Sequence, residues 1–110
     1  MEIKKIVTDK ILTVELSGRL DAVTSLDLDG ELKKSFDGMD KIIFDLKDLN
    51  YIASAGLRIL LKYQKKSEKE GLLMTIKNVQ PEVREVLDMT GFSDFLNIEE
   101  NSEKKLTISF

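Results

Sequence analysis

Histidine and cysteine are both absent from the 110-residue chain, and each absence removes a block of chemistry. Without histidine there is no ordinary general base, no imidazole ligand for a transition metal, and no Ser-His or Cys-His pair. Without cysteine there is no disulfide framework, no thiol nucleophile and no cysteine zinc site, a composition compatible with a reducing compartment. Carboxylates, lysines and hydroxyls are all that catalysis could use, which argues against a hydrolase or metalloenzyme. Long apolar runs are missing too. The opening MEIKKIVTDK mixes acidic and basic residues where a signal peptide needs an apolar stretch, and no apolar run approaches the length of a membrane span. A cytoplasmic chain without membrane insertion is expected. Nor is there an excess of positive charge. The formal net charge is −3, whereas direct nucleic-acid binding wants clustered Lys and Arg. No glycine loop for phosphates and no metal-ligand cluster is evident, so no cofactor is expected.

What is present is enough for one compact domain. The chain has the length of a single unit, its 42% apolar content can fill one modest core, and no Pro/Gly/Ser linker or internal repeat divides it. Ile3, Ile6 and Val7, then residues 11–16, form two apolar-rich runs separated by Thr8-Asp9-Lys10. In the second run Leu12, Val14 and Leu16 alternate with polar residues, the period of a half-buried strand. A β-hairpin ending at Gly18 is expected. Asp21 then suits the N-cap of a helix whose apolar residues Leu28, Leu32 and Phe36 recur every four positions.

Ile42-Ile43-Phe44, with Leu46 beyond, suits an interior strand covered on both faces, and Leu49-Asn50-Tyr51-Ile52 continues as a loop or strand end. From Ser54 to about residue 69 the stripe Leu57, Leu60, Leu61 and Gln64 predicts a helix, with Arg58, Lys62, Lys65, Lys66 and Lys69 outside it and Gly71 as its stop. Residues 72–76 read as another interior strand, and Pro81 opens a short helix carrying Val83, Val86 and Leu87 and ended by Gly91. Phe92, Phe95, Leu96 and Ile98 return the chain as a last parallel strand. The fold class is therefore α/β: a single-layer mixed sheet, mostly parallel, with an N-terminal β-hairpin and packed helices. The alternation in residues 106–110 predicts that any order there is extended.

Chemistry concentrates in Asn50-Tyr51-Ile52-Ala53-Ser54-Ala55-Gly56-Leu57-Arg58, where a hydroxyl sits among small residues at a strand-to-helix junction. Serine there can simply be an N-cap. Alternatively it is an accessible acceptor, because Ala53, Ala55 and Gly56 offer almost no side chain to shield it from a kinase.

Ser54-Ala55-Gly56-Leu57, following Leu49-Asn50-Tyr51-Ile52, resembles the phosphorylation loop of bacterial anti-sigma factor antagonists, the STAS family. Three further stretches resemble the family in the same order: Leu16-Ser17-Gly18-Arg19-Leu20-Asp21, Ile43-Phe44-Asp45-Leu46, and Val86-Leu87-Asp88-Met89-Thr90-Gly91-Phe92. The resemblance implies a non-enzymatic partner switch. The unphosphorylated form would bind an anti-sigma factor that is an ATP-dependent serine kinase, freeing the sigma factor. Phosphorylation of Ser54 would release the complex, and a PP2C-type phosphatase would restore it. Asp21, Ala53, Ser54, Ala55, Gly56 and Arg58 would form the partner surface. Two positions depart from the regulators of this family: Ala53 replaces a frequent aspartate, and Ala55 replaces a frequent second hydroxyl, leaving Ser54 as the single acceptor of the loop.

Other readings keep the same residues. Asp21 can be only a helix cap, and the basic face of the second helix only a solvated face, or else a surface that steers an acidic partner. The domain can also be a scaffold or accessory subunit of a stress-signalling or transport complex. A small enzyme using Asp45, read as a strand residue, and Asp48, read as a loop residue, would lack a catalytic companion for either.

Overall fold

The computed structural model describes residues 1–99; the extended conformation expected for residues 106–110 lies outside the described residues. Strands β1 (Glu2–Thr8) and β2 (Ile11–Leu20) form the hairpin. Its turn residues Asp9 and Lys10 have φ of +50° and +63°, the pair of positive values that a two-residue turn needs to match strand twist. Helix α1 (Ala22–Ser35), β3 (Lys41–Ile52), α2 (Ser54–Glu70), β4 (Leu73–Lys77) and α3 (Pro81–Met89) follow in order. The sheet runs β1-β2-β3-β4, with β1 antiparallel to β2 and the other pairs parallel.

Each crossover steps to the next strand in the same direction, so right-handed connections place α1 and α2 on one face of the sheet. The core lies between them: Leu12, Val14, Leu16, Ile42, Phe44, Met74 and Ile76 from the sheet meet Leu28, Leu32, Leu57, Leu60 and Tyr63 from the helices. The opposite face is only partly covered. Thr13, Ile43 and Thr75 stand side by side in register, and Thr13 and Ile43 are half-buried. The strand expected to be covered on both faces is fully covered on one, and on the other Asp45 is buried while Ile43 is half-buried. Where this second face is buried it is polar and satisfied: Asn78 donates to Asp45 at 3.1 Å and Asn97 to Thr75 at 3.3 Å.

Three boundaries differ from the sequence expectation. Gly18 does not end β2; it sits inside the strand with φ +95°, beside register shifts that let pairing with β3 continue to Leu20 and Ile52. For the same reason the segment 49–52, read as a loop or strand end, is the end of β3, and Asp48 is a strand residue rather than the loop residue expected. Among the described residues the last parallel strand is a single bridge, Ile98 to Ile76, which follows the closure of Phe92–Asp94 into a 3₁₀ turn. The prolonged β2 and β3 end level with one another, and α1 and α2 start together from that edge.

Candidate functional site at the start of the second helix

Backbone bonding from β2 fixes where α2 begins. The Ala53 N–H donates to the Leu20 carbonyl at 2.9 Å, and the Ala53 carbonyl accepts the Leu57 N–H at 3.0 Å. Ala53 is thus the N-cap, with extended dihedrals and no side-chain cap, and Ser54 is the first helical residue. The capping role that serine chemistry suggested is not used. The Ser54 side chain is exposed and its hydroxyl is engaged in no hydrogen bond among the described residues. Ala53 and Ala55 are half-buried and Gly56 is buried, so the small residues give the chain a close seat on the sheet and leave the hydroxyl projecting.

Asp21 stands at the matching start of α1 and does cap. Its Oδ1 accepts the N–H groups of Thr24 at 2.9 Å and Val23 at 3.1 Å, while the Asp21 N–H donates to Thr24 Oγ1 at 2.8 Å. This reciprocal capping box satisfies the first turn. The Thr24 backbone N–H, then its hydroxyl, holds the Asp21 carboxyl below its ordinary range.

The two helices run side by side in the same sense and are pinned by Asp29. Its carboxylate accepts the Tyr63 O–H at 2.7 Å and Lys62 Nζ at 2.9 Å, and Lys33 approaches to 3.6 Å. The Tyr63 hydroxyl, then Lys62, lowers the Asp29 pKa, while burial and Asp29 push the Tyr63 hydroxyl up. This clamp was not legible beforehand, since neither helix pattern alone says which polar side chains face each other. It also revises two expectations. Tyr63 and Ser67, rather than Leu61 and Gln64, complete the buried stripe of α2. The basic face is not wholly solvated, because Lys62 binds Asp29 and Lys66 lies 4.7 Å from the Phe36 ring centroid.

Around Ser54 the exposed surface holds Arg58 one turn along α2, and Val23 and Leu26 on α1. At the strand ends the Arg19 guanidinium stacks 3.8 Å over the Tyr51 ring, a pairing that only the strand register could reveal. The structure therefore brings Asp21, Ala53, Ser54, Ala55, Gly56 and Arg58 to one edge. Among the described residues no acidic, histidine or cysteine cluster could hold a metal ion, and no helix is long and apolar enough to cross a membrane. A cleft of about 770 Å³ beside α3, lined by Lys47, Val79, Pro81, Met89 and Ile98 among others, shares no residue with this edge.

The STAS domain family model matches residues 2–105. The chain belongs to the STAS domain family. The anti-sigma F factor antagonist of Paenibacillus polymyxa is 32% identical over 101 residues, covering 88% of this chain and 85% of that protein. BtrV of Bordetella bronchiseptica, provisionally named an anti-sigma factor antagonist, is 31% identical over 103 residues, covering 90% and 89%. In fold, this STAS domain is similar to the anti-sigma factor antagonist SpoIIAA in its unphosphorylated form, with a TM-score of 0.76 at 19% identity over 98% of this chain and 96% of that one. It is likewise similar to Bacillus SpoIIAA in the phosphorylated form, with a TM-score of 0.70 at 19% identity over 97% and 99%.

Proposed function

We propose that this STAS domain is an anti-sigma factor antagonist and not an enzyme: it binds an anti-sigma factor when unmodified and is switched off by phosphorylation of Ser54. The observation that carries the reading is the Ser54 hydroxyl itself, exposed, without a hydrogen bond among the described residues and set on the first residue of α2. A serine committed to capping would have to give up a structural bond to be modified; this one gives up nothing. The names of the relatives at 32% and 31% identity support the same role.

The partner is an anti-sigma factor that is also an ATP-dependent serine kinase, so nucleotide and metal enter with the partner. It docks on the edge formed by Asp21, Ala53, Ser54, Ala55 and Arg58, while Gly56, assigned to the partner surface by resemblance, is buried against Leu20 and seats the helix beneath that edge; a PP2C-type phosphatase resets the switch. Such a role is played in the cytoplasm, without direct contact to nucleic acid. The test is incubation with the anti-sigma kinase and ATP followed by mass mapping. One phosphate on Ser54, absent from Ser54→Ala, is expected; a phosphate elsewhere, or none, would overturn the assignment.

A further inference from the structure

Ser54, Arg58 and Lys62 follow one another down α2 at four-residue spacing, so neighbours in this row stand one turn apart on the same side of the helix. Lys62 is committed, with its Nζ 2.9 and 3.2 Å from the two Asp29 carboxylate oxygens. Arg58 is exposed and has no ion pair or hydrogen bond among the described residues. On α1 the residue one turn before Asp29, where a carboxylate could have served Arg58, is Leu26, which is 73% exposed, and Val23 one turn earlier is 71% exposed. The guanidinium is a planar fork of donors suited to carboxylate or phosphate. Helix register sets it level with hydrocarbon on α1, and among the described residues no anion pairs with it.

We propose that Arg58 is the residue through which this chain reads its own modification. In the phosphorylated protein its guanidinium pairs with the phosphate on Ser54. In the unmodified protein it is offered, at the rim of the Val23–Leu26 apolar patch, to a carboxylate of the partner. The inference rests on the reading of Ser54 as the modified residue. An anion four residues before a cation is the favourable order on a helix, and a charge-assisted bond to phosphate is stronger than a neutral one. The two pairings exclude each other, so modification both adds an anion to the docking edge and withdraws the cation a partner would use. No backbone movement is required, only a choice of rotamer for one exposed side chain.

The test does not depend on a kinase. Phosphoserine is installed at position 54 during translation, and ³¹P NMR follows the second ionisation of the phosphate, near about pH 6, in otherwise wild-type protein, in Arg58→Gln and in Lys62→Gln. Removing Arg58 is expected to raise that pKa by roughly 0.3 units or more, whereas removing the committed Lys62 moves it by less than about half as much. Equal values with and without Arg58 would overturn the phosphate pairing while leaving the assignment of Ser54 intact, since that stands or falls with the mass mapping. In the unmodified protein, Arg58→Gln is expected to weaken binding to the kinase that modifies Ser54 on the order of tenfold. Unchanged affinity would overturn the partner half.

Discussion

Leu20 lies directly against Gly56: a Cβ at position 56 would fall 2.7 Å from Leu20 Cγ and 2.8 Å from its Cδ2, with Ile52 Cγ1 at 3.0 Å. Gly56 is helical, so alanine there would by itself gain about 1 kcal/mol of helix propensity. Overpacking against a branched carbon in the core costs about 1–3 kcal/mol, and Leu20 is fully buried, with nowhere to move. Gly56→Ala is therefore expected to destabilise the domain by roughly 1 kcal/mol net and to lift the first turn of α2 from the strand ends. Gly30 in α1 is the control, because a Cβ there meets nothing within 4 Å. Gly30→Ala should stabilise by up to about 1 kcal/mol. Urea denaturation of both variants decides it; the same sign for both would show that Leu20 does not set the seat of α2.

The two helix starts at this edge separate structure from function. Asp21 holds a full capping box, so Asp21→Ala is expected to cost about 0.5–2 kcal/mol. Ser54 caps nothing, so Ser54→Ala should change stability by less than about 0.5 kcal/mol while abolishing modification. Thermal unfolding of the two variants side by side is the check, and a loss for Ser54→Ala comparable to that of Asp21→Ala would mean the serine has a structural task.

What could be read from the sequence was periodic and local. The spacing of Leu28, Leu32 and Phe36, the proline opening α3, and Gly71, which ends α2 with φ +76°, are each settled within a few residues, and the junction at Ser54 was legible for the same reason. What escaped depends on partners distant in the chain. Ser67 counts as polar in any pattern, yet it is fully buried because its hydroxyl donates to the Tyr63 carbonyl at 2.7 Å within its own helix. Gly18 reads as a stop, and only pairing with β3 makes it part of a strand. Phe95, expected to return to the core on a last strand, is strongly exposed, since among the described residues that strand is a 3₁₀ turn and a single bridge.

The Asp29 clamp predicts a pH dependence whose sign is fixed. The Tyr63 hydroxyl and Lys62 hold the Asp29 carboxyl below its ordinary value of 3.8 in the folded chain, so the folded state binds fewer protons at this site than the unfolded one. The stability gained is fully present above the unfolded pKa and is lost as pH falls through the folded value. Asp29→Asn keeps the size and an acceptor for Tyr63 but loses the charge. It is expected to cost about 1–2 kcal/mol at neutral pH, with the gap to wild type closing as the solution is acidified below about pH 4. Denaturant titrations at several pH values measure that gap, and a constant difference down the acid limb would contradict the clamp.

Phosphorylating Ser54 is expected to abolish docking while leaving the fold standing. The modified side chain brings about −1.5 to −2 charges to the first turn of α2, where unpaired N–H groups and the positive end of the helix favour an anion by about 0.3–1 kcal/mol. That term has the stabilising sign and is small beside what holds the core, where Leu20, Ile52, Leu57 and Leu60 pack beneath the junction with little or no exposure. Nothing in the balance drives repacking. The docking edge meets a different balance, because a dianion pressed into a fitted contact must be desolvated and brings steric and like-charge conflict worth several kcal/mol. At about 1.4 kcal/mol per factor of ten, the loss of affinity is on the order of a hundredfold or more. Calorimetry of the phosphorylated and unmodified chains against the kinase partner measures the loss, and backbone NMR shifts locate any change. Shifts confined to residues near positions 21–26 and 51–58 with a large loss of affinity are the expected result. Equal affinity would remove the switch, and shifts spread through β1 and α3 would mean that the phosphate acts by refolding the domain.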